Sequence, residues 1–358
     1  MALGKIGIDV ENGDEVDGES VTERMVPAIR RFVKENQRVE LFLHGHRDRI
    51  QGAFDGDIPA RAVVVPASEF YTQGQALTRR LKGSVLNNLV GSIRDGNIEG
   101  MYTIGDTSKL AFEASKMRIR EVGKQALVAV FPSKKGDFVF SDIGFTSQTP
   151  KKKKYFDVID EWAKGIYGQG IMSSVYVNGM GVEKPRWGIL SIGTESHKGS
   201  DVDKRLEELV NQGISERGLG EFMEYVGKVE PRNCFNGKAD VVLTDGYKGN
   251  LSLKWMEASF GILKDWAKGE TDKFNWSDKM RLAFGSATLK RVKQNLLDKA
   301  NPDRYSGAIV LGYEGVVVKG HGASGSDAIY HGLCRLANCT SEDSGKKLAD
   351  TVRRYMPK

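Results

Sequence analysis

Two stretches of this chain carry an apolar strand straight into a turn of glycine, small polar residues and lysine. They are residues 185–199, PRWGILSIGTESHKG, and residues 239–254, ADVVLTDGYKGNLSLK. Small residues at the end of a strand let backbone N–H groups face an anion, and a lysine adds positive charge. The two turns therefore predict an α/β protein with a site for a phosphate-bearing or acyl substrate.

Strand and helix patterns alternate along most of the chain, which predicts βαβ units and a largely parallel sheet covered by helices. The predicted strands are residues 5–10, 39–44, 62–66, 101–104, 126–131, 138–141, 187–192, 239–244, 308–311 and 315–318. Helical patterns cover residues 22–36 and 84–95, and another helix follows the turn at 105–108 and runs through Lys116. In such sheets ligands bind beyond the carboxyl ends of strands, and both of the lysine-containing turns lie at such ends.

The length of 358 residues fits one large or two fused α/β units, and we expect a single catalytic domain over residues 1–358. Residues 252–299 differ, because they are helical in character with little strand signal. Leu253, Met256 and Phe260 share one helix face. We expect a helical hairpin that packs on its own core or on a second subunit; the alternative is an amphipathic tip that touches a membrane.

Composition limits the class of protein. No apolar run approaches the roughly 20 residues that span a bilayer, and the first residues lack the pattern of a secretion signal. The three cysteines have no CxxC spacing, which argues against a disulfide framework or a structural zinc site and favours the cytoplasm. The net charge of +6 favours acidic partners. The lysine run at 151–154 is either an exposed loop or a docking site for such a partner.

The turn at residues 193–199 combines hydroxyl groups, an ammonium group and backbone donors between two glycines. Thr194 and Lys198 supply the polar groups, and Gly193 and Gly199 flank them. Phosphate binding needs several N–H or O–H donors together with a charge. The alternative is a helix N-cap with an incidental surface lysine.

Three further polar positions follow strands. Asp245 ends one strand, Gly249 lets a substrate approach the backbone, and Asn250 can donate to a developing oxyanion. The segment 320–325, GHGASG, has the form GxGxxG, but no second strand follows to complete a dinucleotide-binding unit. His321 in this segment can act as a hydrogen-bond donor or a proton source near neutral pH, or can be structural.

No metal or covalent thiol chemistry is expected. His44 and His46 are two residues apart without a third ligand nearby. None of the three cysteines lies in a strand-end glycine turn.

Three segments occur in the order and spacing of one known family: PRWGILSIGTESHKG, GKVEPRNCFNGKADVVLTDGYKGNLSLK and YSGAIVLGYEGVVVKGHGASGSDAI. They resemble the phosphate acyltransferases of bacterial phospholipid synthesis, the PlsX family. KIGIDVENGD and TIGDTSKLAFEA resemble the first-strand turn of that family and its Gly-Asn-Thr-Gly turn, and SDIGFTSQTP resembles its Asp-Val-Gly-Ala-Asn segment. The resemblance spans nearly the whole chain and is more specific in the second half.

The resemblance implies an enzyme that moves a fatty acyl group from acyl–acyl carrier protein to inorganic phosphate, without a metal or other cofactor. It implies a Rossmann-like α/β fold related to isocitrate dehydrogenases and phosphotransacetylases. It also implies a homodimer in the cytoplasm, with peripheral membrane contact through residues 252–299 and no nucleic-acid partner.

The resemblance further implies roles for individual residues. Lys198 would bind phosphate, Asn250 would donate to an oxyanion or to phosphate, and His321 would line the same pocket. The implied phosphate- and substrate-binding positions are Asp9, Gly13, Asp14, Gly105, Thr107, Gly193, Thr194, Gly199, Asp245 and Gly249.

Two alternative functions stay open at this point. Glu11 and Asp106 place acids in turns where the family has neutral residues, which favours a non-catalytic relative that binds acyl carrier protein or membrane. The second alternative is a phosphotransacetylase-like enzyme that acts on acyl-coenzyme A.

Overall fold

The computed structural model of the chain describes residues 4–69, 81–120, 122, 124–144, 155–272, 302–340 and 344–357. Within these ranges, eleven strands form one sheet. The strands are β1 (Gly4–Asp9), β2 (Val39–Gly45), β3 (Ala62–Pro66), β4 (Gly100–Thr103), β5 (Ala126–Ser133), β6 (Gly136–Ser141), β7 (Arg186–Leu190), β8 (Glu224–Val229), β9 (Val241–Leu243), β10 (Ala308–Leu311) and β11 (Val316–Lys319).

The helices of the described residues cover the sheet. They are α1 (Val21–Glu35), α2 (Arg47–Ala53), α3 (Val85–Arg94), α4 (Thr107–Ala114), α5 (Tyr155–Gly179), α6 (Asp201–Arg217), α7 (Leu219–Phe222), α8 (Pro231–Phe235), α9 (Gly246–Asp272), α10 (Ser326–Cys339) and α11 (Ser344–Tyr355). No helix within the described ranges is long and apolar enough to cross a membrane.

The order of strands divides the sheet into two parallel sets. The order is β3-β2-β1-β4-β11-β10-β5-β6-β9-β7-β8. The first five strands are parallel to one another, and so are the last four. Between the sets, β10 pairs antiparallel with both β11 and β5, and β5 pairs antiparallel with β6. The prediction of a largely parallel sheet is confirmed, but the two parallel sets run in opposite directions.

Close packing of small residues fixes α5 on the sheet. Trp187 of β7 is 0% exposed, and its indole N–H donates to the Ser174 hydroxyl at 2.5 Å. A Cβ atom on Gly170 would lie 2.8 Å from the same indole ring, so only glycine lets the helix approach this closely. The buried face of α5 mixes glycine and serine with Ala163, Ile166, Ile171 and Val177, so its apolar pattern is interrupted.

The strand predictions match the structure closely, as at β3 and β10, whose bounds are those predicted. The helices α5 and α6 and the strand β8 were not predicted. The predicted hairpin at 252–299 coincides with α9 as far as Asp272. Residues 273–299 lie outside the described residues, as do the lysines at 151–154.

Candidate active site

A cleft of about 580 Å³ lies at the boundary between the two parallel sets of strands. Its floor follows β5 from Leu127 to Phe131, a length of roughly 13 Å at the usual rise of a strand. One wall contains the turns that follow β4 and β11, and the other contains the residues after β6 and the start of α9. The cleft therefore lies where loops from both sets of strands meet.

The first wall depends on Asp9 at the end of β1. Its carboxylate accepts the backbone N–H groups of Glu11 and Asn12 at 3.2 and 3.0 Å. The Thr103 hydroxyl donates to it at 2.7 Å and accepts the Gly105 N–H at 2.9 Å. Burial raises the pKa of Asp9, and these hydrogen bonds oppose the rise. Asp9 thus joins the turn after β1 to the turn after β4.

Arg24 of α1 joins the turn after β1 to the turn after β11. This guanidinium is 4% exposed and donates to the carbonyl oxygens of Asp14, Gly322 and Ser324. The Asp14 N–H also donates to the Gly322 carbonyl at 3.2 Å. The three turns of this wall are consequently held as one unit.

Lys319, the last residue of β11, supplies positive charge to this wall. Its ammonium is half-buried, lines the cleft and donates to the Gly320 carbonyl at 2.6 Å. Burial lowers its pKa, while the charges of Asp106, Asp14 and Asp9 oppose that change. The lysine is positioned to pair with an anion in the cleft.

The N-terminus of α10 also opens onto the cleft. Gly325 is the N-cap and provides no side-chain hydrogen bond, and residues 323–325 line the cleft. The N–H groups of a first helical turn have no partners within the helix, so they are available to an anion. His321 is exposed nearby, and its Nδ1 accepts the Ala323 N–H at 3.2 Å. In the neutral ring this contact assigns the proton to Nε2, which makes Nε2 a donor.

The second wall is built on close contact between α9 and the residue after β6. A Cβ atom on Gly249 would lie 1.8 Å from the Asp142 carbonyl oxygen, so this position requires glycine. Asp142 is buried, and its carboxylate accepts the N–H groups of Leu127 and Gly144 at 2.9 and 3.1 Å. Asn250 follows in α9, is exposed and lines the cleft.

Between the two walls the cleft is apolar. Leu253 and Met256 of α9 pack against an aromatic cluster beneath the helix. Phe131, Phe138 and Phe140 belong to this cluster, and their ring centroids are 5.8 to 6.4 Å apart. Hydrocarbon bound here would leave water, whereas the polar ends of the cleft would bind charged or hydrogen-bonding groups.

The turn at 193–199 is held by two lysines of neighbouring elements. Lys228, whose side chain is 2% exposed, donates to the Glu195 and Ser196 carbonyls at 3.4 and 2.8 Å. Lys248 pairs with Asp203 at 2.8 Å and with Asp245 at 3.1 Å, which ties the start of α6 to the turn after β9. The turns at 193–199 and 245–250 are therefore neighbours.

The predicted site residues divide between these regions. Asn250, His321 and Thr107 line the cleft, but the residues predicted from the 193–199 turn do not. The latter are Gly193, Thr194, Lys198 and Gly199. The physical reason is the order of strands, because β9 separates β7 from β6 and moves the turn after β7 away from the cleft. The expectation that Lys198 and Thr194 share a pocket with His321 stays a prediction.

The remaining predicted positions support the turns around the cleft. Asp9, Asp14 and Gly105 make the contacts described above. Gly13 has a φ of 158°, and a Cβ atom there would lie 2.8 Å from Ile104. The Asp245 carboxylate accepts the Lys248 N–H at 2.8 Å and so caps the start of α9. Sequence reasoning missed Lys319 and Arg24; a lysine at a strand end next to a glycine turn was the available signal for Lys319.

The two acids that the sequence places in the first-wall turns have partners of their own. Glu11 accepts the His46 N–H at 2.7 Å and pairs with Arg49 at 3.2 Å, so its carboxylate faces the neighbouring strand β2. Asp106 caps α4 by accepting the N–H groups of Ser108 and Lys109 at 2.8 and 3.0 Å. These hydrogen bonds lower the pKa of Asp106, although burial alone would raise it.

Within the described residues, no group of three or more histidine, cysteine or acidic side chains is arranged to hold a metal ion. The described lining of the cleft combines the cations Lys254 and Lys319, the carboxylates of Glu257 and Asp303, hydrogen-bond donors and an apolar floor.

The sequence of this chain matches a known protein family. The model of the family described as fatty acid synthesis protein matches residues 5–344. A protein from Thermosipho africanus named phosphate acyltransferase is 28% identical over 333 residues, which are 92% of this chain and 92% of that protein. A Staphylococcus aureus protein of the same name is 28% identical over 366 residues, which cover 97% and 98% of the two chains.

Solved structures show the same fold. The EutD phosphotransacetylase from Staphylococcus aureus superposes with a TM-score of 0.56 at 13% identity and covers 94% of each chain. A phosphotransacetylase from Streptococcus pyogenes gives a TM-score of 0.56 at 14% identity, over 94% of this chain and 93% of that one. The predicted Rossmann-like α/β fold is confirmed.

Proposed function

Because this chain belongs to the fatty acid synthesis protein family, and its resemblance to the PlsX family is thereby confirmed, we propose that it is a phosphate acyltransferase. The proposed reaction moves a fatty acyl group from the thioester of acyl–acyl carrier protein to inorganic phosphate. The observation that carries the proposal is one cleft in which an uncapped helix N-terminus and a lysine adjoin an apolar floor. That combination suits a reaction between a phosphate and a fatty acyl group.

The proposed step is a substitution at the acyl carbonyl. A phosphate oxygen attacks the carbonyl carbon and forms a new C–O bond, which gives a tetrahedral oxyanion. The C–S bond then breaks, and the carbonyl group forms again with the phosphate attached. Hydrogen phosphate and the acyl thioester give acyl phosphate and the free thiol of the carrier, and the proton of hydrogen phosphate passes to the thiol. A thioester is already activated, so binding and alignment of the two substrates supply most of the catalysis.

We assign the phosphate to the wall formed by Lys319 and the N-terminus of α10. Lys319 provides one charge, and the first-turn N–H groups of α10 provide donors that point along the helix axis. The Nε2–H of His321 can donate a hydrogen bond to the phosphate or to the departing sulfur. Lys198, the phosphate ligand implied by the family resemblance, is a competing assignment that mutation can separate from this one.

Asn250 lies on the opposing wall, and a substrate that fills the cleft contacts both walls. Its amide can donate to the oxyanion of the tetrahedral intermediate, and a carboxylate in the same place could not. We therefore assign Asn250 to stabilisation of the developing charge.

The apolar floor is assigned to the fatty acyl chain. Each methylene that leaves water contributes about 0.8 kcal/mol, so the cleft should favour longer chains until the floor is filled. The acyl carrier protein is the proposed donor, since such carriers are acidic and this chain has a net charge of +6.

The test is to incubate the protein with acyl–acyl carrier protein and phosphate, and to measure acyl phosphate and free carrier together. We expect both products in equal amounts and only when phosphate is present. Lys319→Gln should raise the KM for phosphate at least about tenfold, whereas Lys198→Ala should do so only if the competing assignment holds. Absence of product from the folded protein across several chain lengths would defeat the proposal.

The same assay separates the alternatives. Acyl-coenzyme A as the better donor would identify a phosphotransacetylase-like enzyme. Binding of acyl carrier protein without turnover would identify a non-catalytic relative, and Lys319→Gln would then leave the binding unchanged.

We further propose that the outer face of α9 is covered in the working protein by a second copy of the chain or by a membrane surface. Trp255 and Trp266 are 70% and 68% exposed, and Ile262 between them is 50% exposed. These residues lie along one exposed stripe of the helix, which is typical of an interface. The side chain of Phe260, which was also predicted for this helix, lies outside the described residues.

Combined Trp255→Asp and Trp266→Asp substitutions test this assignment. Light scattering would show loss of a dimer, and flotation with anionic vesicles would show loss of membrane attachment. Gly261→Asp is a control for added charge, because Gly261 is exposed roughly a third of a turn around the helix from the stripe and a Cβ atom there meets no atom within 4 Å. If the double variant keeps both properties, the stripe has neither role.

A further inference from the structure

A second cavity, of about 690 Å³, lies between α5 and α10 above strands β5 and β10. Val130 and Ile309 belong to the core that packs against α5, whereas Ala129 and Phe131 belong to the cluster beneath α9. Since side chains alternate along a strand, these two sets lie on opposite faces of the sheet. The second cavity shares Val130 of β5 with the candidate active site, and its other lining residues are its own.

Basic side chains dominate the polar lining of this cavity. Arg304, Arg335 and Lys347 line it, and Asp137 is the acidic residue among its described lining residues. The Nη1 atom of Arg335 is buried and has no hydrogen-bond partner among the described residues. Burial raises the pKa of Asp137, while the charges of Arg335 and Arg304 oppose the rise, so one carboxylate already faces two arginines. A buried guanidinium N–H without an acceptor is costly, so a further acceptor bound in the cavity would stabilise Arg335.

The other walls of the cavity are largely hydrocarbon. Met172, Val175 and Met180 of α5 line one side, and Leu348 of α11 lines another. An anion without an apolar body would satisfy the arginine but leave this surface exposed to water. A neutral apolar molecule would cover the surface but leave the arginine without an acceptor.

We propose that this cavity binds an anionic amphiphile of low molecular mass. Its carboxylate or phosphate group pairs with Arg335 and Arg304, and its hydrocarbon body lies against Met172 and Val175. The site is distinct from the cleft assigned to the reaction, and its occupation does not depend on the proposed function. Carboxylate and phosphate share the chemistry that a guanidinium recognises, and different probes distinguish them.

The experiment is a calorimetric titration with decyl phosphate, decanoate and decanol. It is performed on Lys319→Gln protein, so that binding in the front cleft is weakened and does not obscure the second site. We expect at least one of the two anions to bind at least about tenfold more tightly than decanol, because a hydrogen bond to a charged group is worth that much. The tighter anion identifies the head group.

Adding Arg335→Gln to this background should weaken binding of the anion about tenfold or more and leave the affinity for decanol nearly unchanged. Arg304→Gln, at the exposed rim, provides a second variant if Arg335→Gln fails to fold. It should also weaken binding of the anion. The control is Arg353→Gln, an exposed arginine of α11 that pairs with Asp350 and does not line the cavity.

Three results would overturn the proposal. They are equal affinity for decanol and both anions, unchanged affinity for the anion in both arginine variants, and no binding up to the solubility limit of the probes. None of these results bears on acyl phosphate formation, which is measured separately.

Discussion

Replacing His44 tests how burial of a single imidazole makes the stability of this fold depend on pH. His44 lies in β2 and is 0% exposed, and neither ring nitrogen has a hydrogen-bond partner among the described residues. Burial lowers its pKa from 6.5 to about 4. As the pH falls below 6.5, His44 becomes protonated in the unfolded chain but remains neutral in the folded chain. The contribution of His44 to the free energy of unfolding is therefore lost as the pH falls from 6.5 to about 4.

The size of the effect follows from the same numbers. The lowering of the pKa corresponds to roughly 3 kcal/mol once the ring is protonated in both states. Between about pH 7.5 and about pH 4.5, His44 should account for about 2.5 kcal/mol of lost stability. Other groups titrate over the same range, so the measured quantity is the difference between proteins. Urea unfolding at both pH values should show a smaller loss in His44→Gln than in the parent.

The control is His197→Gln, which replaces an imidazole that is exposed in the turn after β7. That variant should lose as much stability as the parent over the same pH interval. Equal losses in the parent and in His44→Gln would refute the reasoning, because they would mean that burial of this ring carries no cost of protonation.

Three further predictions concern the cleft. Gly249→Ala should destabilise the protein by about 1–3 kcal/mol or more in urea unfolding and should lower turnover, since its Cβ would lie 1.8 Å from the Asp142 carbonyl oxygen. Gly269→Ala in the same helix meets no atom within 4 Å and should do neither. Lys319→Gln should leave the urea midpoint unchanged or higher, because it removes a partly desolvated charge while weakening phosphate binding. Asn250→Asp should lower kcat by about 10²–10³ with a smaller change in KM, measured by acyl phosphate formation.

Local sequence patterns were sufficient for most strands and insufficient for the helix α5. The strand β3 is a continuous run of Ala, Val and Pro between polar turns, and its bounds follow from composition alone. The buried face of α5 contains Gly168, Gly170, Ser173 and Ser174, which interrupt the helical spacing of its buried apolar residues. The small residues on that face are required by close contact with Trp187. The sequence of the helix alone does not indicate this contact.

The candidate site was only partly predictable for a related reason. Asn250 and His321 follow strand patterns directly, so local rules found them. Lys319 satisfies the same rule, because it ends β11 next to Gly320, and it was overlooked in favour of its neighbour. Arg24 lies 300 positions from the carbonyl of Ser324 to which it donates, and no local pattern indicates such a contact.

The acids around Lys319 bear on whether this wall can accept a phosphate. Of the three acids whose charges reach Lys319, Asp9 and Asp106 direct their oxygens at protein donors. Among the described residues, neither these two nor Asp14 forms an ion pair with the ammonium within 4 Å. Burial lowers the pKa of Lys319 in spite of their attraction, which means that the ammonium is poorly solvated where it lies. Its hydrogen-bond partner among the described residues is the Gly320 carbonyl. An incoming phosphate would supply the hydrogen-bond acceptors and the negative charge that this ammonium lacks, so the lysine retains an affinity for anions. The acids set the orientation of the turns.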